Sequence, residues 1–168
     1  MWPLLQDFAD RPRGAIMVSL YRVANVASRC RKKAPLHAVW AVPVLIIYRI
    51  FCELVWSYEI PAATQIGNNL QIDHGFGIVI NKHCRIGNNC RIKHSVTIGC
   101  KTLADGTQGP SPRIGSNVDI GAGALIIGDI EIGDNVLIGA GAIVTKSVPS
   151  NSVVRGRAAT FIAREESP

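Results

Sequence analysis

Several common signals are missing from this chain of 168 residues. Its five cysteines (Cys30, Cys52, Cys84, Cys90, Cys100) are odd in number and contain no C-x-x-C pair. That pattern argues against structural zinc and disulfides and predicts reduced thiols in a cytosolic protein. A long apolar run is also lacking. Residues 35–58 hold Trp40, Leu45, Ile46, Ile47, Phe51, Leu54, Val55 and Trp56, but Pro43, Arg49 and Glu53 interrupt them. The longest uncharged run, 38–48, falls short of the roughly 20 residues of a membrane-spanning helix. The N-terminus carries acidic residues and no cleavable signal pattern, which argues against secretion. No helix follows Gly121-Ala122-Gly123 or Gly139-Ala140-Gly141, so neither is a dinucleotide fingerprint. Acidic residues are the scarcer charge, 12 against 18 Lys and Arg, for a net charge of +6. A basic balance suits an acidic partner. We expect cofactor phosphates and an anionic membrane in that role, and no nucleic acid.

What the chain does have is a period of six. An aliphatic residue returns at Ile60, Ile66 and Ile72. After a two-residue slip it resumes at Ile80, Ile86, Ile92 and Ile98. After a loop it runs from Ile114 through Ile120, Ile126, Ile132 and Ile138 to Val144. A second small apolar residue sits two places before many of these, at Val118, Ala124, Ile130, Val136 and Ala142. Neither a helix nor a plain strand has this period. It fits a parallel β-helix, in which each hexad is a short strand plus a corner and three hexads make one triangular coil. Glycine or asparagine beside the aliphatic residue permits the corner bend. Cys84 and Cys90 stand one repeat apart and read as wall or corner packing.

This predicts one mainly-β domain with a helical extension. Residues 1–58 form a helical cap, 59–148 a β-helix with a protruding loop at 100–111, and 149–168 a C-terminal tail. Residues 1–13 read as irregular and 14–30 as a helix with Ile16, Leu20, Val23, Val26 and Ala27 on one side. Arg29, Arg31, Lys32 and Lys33 follow as a basic cluster. The apolar stretch after it reads as a helix covering the unpaired edge of the first coil. Contact of this region with a membrane surface is the second expectation.

Two irregularities mark where function should be sought. One is the slip, Asp73-His74-Gly75-Phe76-Gly77. The other is the loop 100–111. His74 lies two residues after Ile72, and His94 two after Ile92. Counting the slip, His94 stacks on the face of His74 at about one strand spacing, 4.8 Å. Outward polar surface is the alternative, more so for His94. His37 and His83 read as structural. Gly121-Ala122-Gly123 and Gly139-Ala140-Gly141 lie one coil apart and stack as a smooth groove.

The hexads resemble those of the left-handed β-helix acyltransferases. Glu59-Ile-Pro-Ala-Ala-Thr-Gln-Ile-Gly and Ile72-Asp-His-Gly-Phe-Gly-Ile-Val-Ile resemble serine acetyltransferases. The likeness is closer to colanic-acid-type acetyltransferases of exopolysaccharide biosynthesis. It extends upstream through Tyr21-Arg-Val-Ala and Tyr48-Arg-Ile to Tyr58-Glu-Ile. The left hand of the coil comes from this resemblance, since right-handed crossovers are the general rule. The resemblance implies that His74 is the general base and Glu59 its carboxylate partner. Beside them, Asp73, His94 and Ser111 are expected toward the substrate. Along acetyl-CoA the resemblance places Gly99, Cys100, Lys101, Ala122 and Ala140; by their charge, Lys146, Arg155 and Arg157 are expected at the phosphates. No metal is expected. It implies a homotrimer with the site between subunits.

In this reading an imidazole takes the proton of a hydroxyl as it attacks the thioester of acetyl-CoA. Corner amides face the oxyanion. Nothing arranges a base beside Cys100, so transfer is direct. The basic and imidazole pair that serine enzymes place at the end of the loop is replaced by Pro110 and Ser111. That departure points to a sugar hydroxyl of an exopolysaccharide precursor rather than serine. Serine O-acetylation for cysteine synthesis is the alternative, and a non-catalytic scaffold is the rival from another class. Zinc chemistry needs three histidines, and only His74 and His94 are well placed. The expected location is the cytoplasm, at the inner face of the membrane.

Overall fold

The structure, a computed structural model, describes residues 12–33, 36 and 38–156. Thirteen strands, β1 to β13, each two or three residues long, wind through three parallel sheets. They run β1 (Gln65–Ile66), β2 (Gln71–Ile72), β3 (Val79–Ile80), β4 (Arg85–Ile86), β5 (Arg91–Ile92), β6 (Thr97–Gly99) and β7 (Arg113–Ile114). Then come β8 (Asp119–Ile120), β9 (Leu125–Ile127), β10 (Glu131–Ile132), β11 (Leu137–Ile138), β12 (Ile143–Val144) and β13 (Val153–Val154). One sheet stacks β1, β4, β7 and β10, the second β2, β5, β8, β11 and β13, the third β3, β6, β9 and β12. Strand β13 carries the array past residue 148.

Pairing register puts like on like. Ile66, Ile86, Ile114 and Ile132 form one inner column. Ile72, Ile92, Ile120, Ile138 and Val154 form the second. Ile80, Ile98, Ile126 and Val144 form the third. The isoleucines of these columns are all buried, and each contributes about 1.5–3 kcal/mol. The residue two before each repeat also points inward: Cys84, Cys90, Val96, Val118, Ala124, Val136 and Ala142 are buried. Cys84 and Cys90 are therefore core packing. Burial pushes the Cys84 thiol up to about 11.

Asparagines hold one corner. Asn69, Asn89, Asn117, Asn135 and Asn151 all take positive φ, 55–60°. Each of the first four donates its side-chain amide to the next, at 3.0–3.2 Å. Asparagine tolerates this left-handed conformation better than most residues and supplies the ladder in the same stroke.

The cap is built differently from the sequence expectation. Helix α1 spans Pro12–Lys33 and α2 spans Ala38–Ile50, continued by a π-helical turn, Phe51–Val55. In α1 the buried stripe is Met17, Tyr21, Ala24, Asn25, Ala27 and Ser28, while Ile16, Val23 and Val26 face outward. The reason is hydrogen bonding. Tyr21 Oη donates to the carbonyl of Thr64 at 2.6 Å, and Asn25 Nδ2 to Ala62 at 2.7 Å. Arg22 donates to the carbonyls of Ile66 and Gly67. Tyr48 Oη of α2 donates to Ile60 at 2.7 Å. The first coil has no rung beneath it, so these side chains satisfy its free edge.

The segment Ala38–Val55 is an 18-residue helix of mean hydropathy 1.9 with 17% of it buried. Arg49 and Glu53, which interrupt the apolar run in sequence, pair with each other at 2.8 Å. By length and composition the helix is therefore long enough to cross a membrane, at about 27 Å. The expectations for residues 1–11, His37 and 157–168 lie outside the described residues.

Asn117→Ala should destabilise the fold by about 2 kcal/mol, combining left-handed strain with two lost amide bonds. Asn117→Gly should cost less, because glycine removes the strain and only the ladder is lost. Urea unfolding midpoints of the two variants check this.

Candidate functional site

The second and third sheets meet at a corner ridge. Residues two after the register-aligned Ile92, Ile120 and Ile138 occupy it: His94, Ala122 and Ala140. Backbone bonds tie the tiers together. Gly123 N–H donates to the His94 carbonyl at 3.0 Å, and Gly141 N–H to Ala122 at 2.8 Å. Gly156, two after Val154, tops the ridge against the Ala140 carbonyl. A Cβ on Gly121 would come within 2.7 Å of the Gly139 carbonyl carbon, so this close stacking requires glycine.

Below His94 the two-residue slip intervenes. Ile72 to Ile80 takes eight residues where Ile92 to Ile98 takes six. The continuation of the ladder is Ser95 N–H to the carbonyl of Phe76, 2.9 Å. Phe76, not His74, is thus the residue directly beneath His94. Its ring stacks on the imidazole at 4.9 Å and 23°. The insertion lifts His74 out beside them. Its ring meets that of His94 edge-on, at 5.7 Å and 75°. The expected His74–His94 pairing is present, with the spacing of an edge contact instead of a rung. Counting from the preceding strand concealed the role of Phe76; counting back from Ile80 reveals it.

The slip is strained. His74 has φ 66°, Gly75 φ 41° and Gly77 φ 65°. A histidine in this region costs about 1–2 kcal/mol and is retained where the surroundings determine it. Met17 of α1 packs directly on Gly75, and Gly14 on the Ile72 carbonyl, where no larger residue fits. The cap therefore sets the slip from below. His94 Nδ1 is buried with no hydrogen-bond partner among the described residues. An unpartnered buried donor or acceptor costs about 1–3 kcal/mol, and a bound ligand can supply the missing bond.

The other candidate residues fall into three groups. Asp73 lies beside this corner, its backbone N–H bonded to Ile92 at 2.9 Å and its carboxylate 3.8 Å from Arg91. Arg91 also bonds Gln71 and approaches Asp119 at 4.0 Å. Glu59 forms a rung beneath Val79, with Glu59 N–H to Ile78 at 2.7 Å and Ile80 N–H to Glu59 at 2.8 Å. Its side chain is exposed, and no ion pair joins it to His74 among the described residues.

Gly99, Cys100 and Lys101 lie at the other end of β6, one sheet width from the ridge. The loop 100–111 leaves from there as a hairpin, closed by a Thr102–Gln108 bridge. Ser111 is buried and donates to Asn81 Oδ1 at 3.1 Å. Thr107 donates to Asp105, and Gln108 accepts from Asn81. Ser111, Thr107 and Gln108 are thus engaged within their own protomer. A full six-residue side of the coil separates His94 from Cys100, so the loop and the histidines of one chain stand at different corners. Lys146 and Arg155 are exposed at the upper end of the array, and Arg157 lies outside the described residues. His83 is an exposed corner residue whose N–H bonds Asn81.

Known proteins share these features. Residues 111–146 match the family model described as bacterial transferase hexapeptide (six repeats). Over 147 residues the chain is 46% identical to a protein of Escherichia coli (strain K12) named as a colanic acid biosynthesis acetyltransferase, WcaB. That match covers 88% of this chain and 89% of the relative. A serine acetyltransferase of Staphylococcus xylosus is 40% identical over 135 residues, 73% of this chain and 62% of its own length. Among solved structures, soybean serine acetyltransferase complexed with serine superposes with a TM-score of 0.72 at 31% identity, covering 93% of this chain and 60% of that one. The Neisseria gonorrhoeae enzyme in complex with serine gives 0.69 at 28%, covering 89% and 62%. The chain spans about three-fifths of the length of these serine enzymes. The coil, like theirs, is a left-handed parallel β-helix.

The strain at the slip can be measured by itself. His74→Gly should be at least as stable as the parent, because glycine takes φ 66° freely. His74→Ala should keep the strain and gain nothing. Thermal midpoints of the two variants decide it, and an equal loss in both would show that the imidazole itself stabilises the fold.

Proposed function

Because the chain belongs to the hexapeptide-repeat acetyltransferases, we propose that this O-acetyltransferase transfers an acetyl group to a sugar hydroxyl of an exopolysaccharide precursor. The observation that carries the reading is the ridge. A histidine pair stands at its foot, and only small residues, Ala122, Ala140 and Gly156, lie above.

The ridge fits an extended pantetheine arm. Its side chains do not protrude, and open space adjoins Gly123 and Gly141, where an added Cβ would touch nothing within 4 Å. Lys146 and Arg155 stand where phosphates would lie, with Gly99, Cys100 and Lys101 toward the far edge of the same sheet. Acetyl-CoA, when bound, supplies the acetyl group as a thioester. The chain's own residues do the rest. His74 accepts the proton of the acceptor hydroxyl as its oxygen bonds the acetyl carbon, and returns it to the leaving thiolate. Glu59, one rung below the slip, acts as the carboxylate that orients the imidazole and stabilises its charged form. His94 Nδ1 is free to bond the acceptor. Corner amides face the developing oxyanion.

The acceptor end supports a neutral polyol. Serine carries an ammonium and a carboxylate, and each needs an opposite charge; a buried carboxylate without donors costs several kcal/mol. Pro110 and Ser111 offer none at the end of the loop. Phe76, 48% exposed, presents a flat apolar ring beside both histidines, suited to the C–H face of a sugar ring. The similarity to a colanic acid biosynthesis acetyltransferase supports the same class. The similarity to serine enzymes keeps serine as the second reading.

We place the complete site between subunits of a homotrimer. The outward row of the third sheet is Val79, Thr97, Leu125 and Ile143, with Ile143 69% exposed. The first sheet instead presents Gln65, Arg85, Arg113 and Glu131. The apolar sheet is bordered by the histidine ridge on one side and the loop on the other. Packing it against a neighbour brings one chain's loop to another's histidines, a reach the single chain lacks.

His74→Ala should lower kcat about 10²–10⁴-fold, the range for loss of a general base. Glu59→Gln should cost less, because it orients the ring without carrying the proton. CoA-thiol release under saturating acceptor measures both, and an active His74→Ala enzyme would move the base to His94.

Serine should be a poor acceptor, with kcat/KM below the roughly 10⁴ M⁻¹s⁻¹ of an ordinary substrate. Nucleotide-linked or lipid-linked sugars should exceed it. Phe76→Ala should raise KM for the sugar more than it lowers kcat. Parallel kinetics on serine and a sugar panel check this, and a serine value at or above that threshold would replace the sugar reading.

A further inference from the structure

The helical cap buries only one narrow side of itself. Along α2 and the π-helical turn, Ala41, Tyr48 and Cys52 are buried, and Tyr48 and Cys52 join the core of the β-helix. On the opposite side Val39, Pro43, Ile46, Ile47, Ile50 and Leu54 recur at helical spacing and are exposed. Val39 is 76% exposed, Ile47 65% and Leu54 79%. The two charges on the helix, Arg49 and Glu53, cancel each other in a 2.8 Å pair. An apolar face of this extent on a folded domain marks a contact surface. Just before it, α1 ends in exposed Arg29, Arg31 and Lys32. Arg29 and Lys32 also line, with Arg85, a polar cleft between α1 and the first strands. An apolar helix face bordered by cations, with a cationic cleft beside it, has the complementarity of one partner class: a bilayer surface with anionic headgroups.

We infer that the cap docks this face on an anionic phospholipid bilayer, with α2 lying in the headgroup region and Arg29, Arg31 and Lys32 at the phosphates. The helix lies on the membrane and does not cross it. Tyr48 is bonded to the first coil at Ile60, and Cys52 is buried with it. A spanning α2 would have to leave both and strip the coil of its cap. Docking on this face leaves the ridge open, since the cap occupies the first coil and the ridge climbs away from it. The inference stands on the cap alone and does not depend on which acceptor the enzyme uses.

The test is sedimentation of the full-length protein with vesicles of phosphatidylcholine alone and of phosphatidylcholine mixed with phosphatidylglycerol. Binding should require the anionic lipid, weaken with added salt, and be released by an alkaline carbonate wash. Paired Arg31→Glu and Lys32→Glu should weaken it at least about fivefold per charge. Ile47→Asp with Leu54→Asp should abolish it, with circular dichroism and light-scattering mass unchanged. No sedimentation with either vesicle overturns the proposal. So does a change of mass in the Asp variant without loss of vesicle binding, which assigns the face to contacts between copies. Resistance to the carbonate wash overturns it as well, in favour of a spanning helix.

Discussion

The backbone hydrogen bonds of this coil run both ways along the stack: Ile80 and Val148 N–H go back to Glu59 and Glu131 of the coil before, and others run forward. Gly67 N–H goes to Ile86, Asp73 to Ile92, Thr97 to Ala124 and Gly121 to Ile138, each to the coil that follows. The first coil receives no rung from below, and its carbonyls must find donors elsewhere. Tyr21, Arg22, Asn25 and Tyr48 provide them. This need turns the polar stripe of α1 inward and leaves the apolar side chains of the cap outside. The same rung-to-rung register stacks the ridge residues and so assembles the site. At the corners Ser95, Gly123 and Gly141 likewise bond back, to Phe76, His94 and Ala122.

Inner columns were legible in the sequence because a β-helix demands one buried residue at a fixed phase in every strand. Ile114 through Val144 announce it, and Cys84 and Cys90 obey it. The orientation of α1 was not legible. Ile16, Val23 and Val26 are the more apolar residues, and hydrophobicity ranks them inward. The unpaired edge overrides that rank, and its presence is visible only once the coil exists. Likewise Arg49 and Glu53 read as interruptions until helical spacing brings them together as a pair.

The pairing of the two histidines was legible in the sequence, and its register was blurred. An insertion of two residues makes position ambiguous: His74 aligns with His94 from the strand before, and Phe76 from the strand after. The structure resolves this by giving Phe76 the rung and His74 the bulge. An exposed imidazole beside an aromatic ring and an unpartnered imidazole nitrogen is the local arrangement that follows. Ser111, which sequence reading offered to the acceptor, is instead held by Asn81. In the proposed reaction, acceptor selection then falls to Phe76, His94 and residues of a neighbouring chain.

In the proposed reaction the ridge is the track of the cofactor and the histidine pair its terminus, completed by a second chain. A structure of the protein with bound CoA tests this most directly. The thiol should lie beside His74 and His94, the arm along Ala122 and Ala140, and the 100–111 loop of a neighbouring subunit over them in a trimer. CoA bound to another face, or a monomer with the ridge bare, would contradict it.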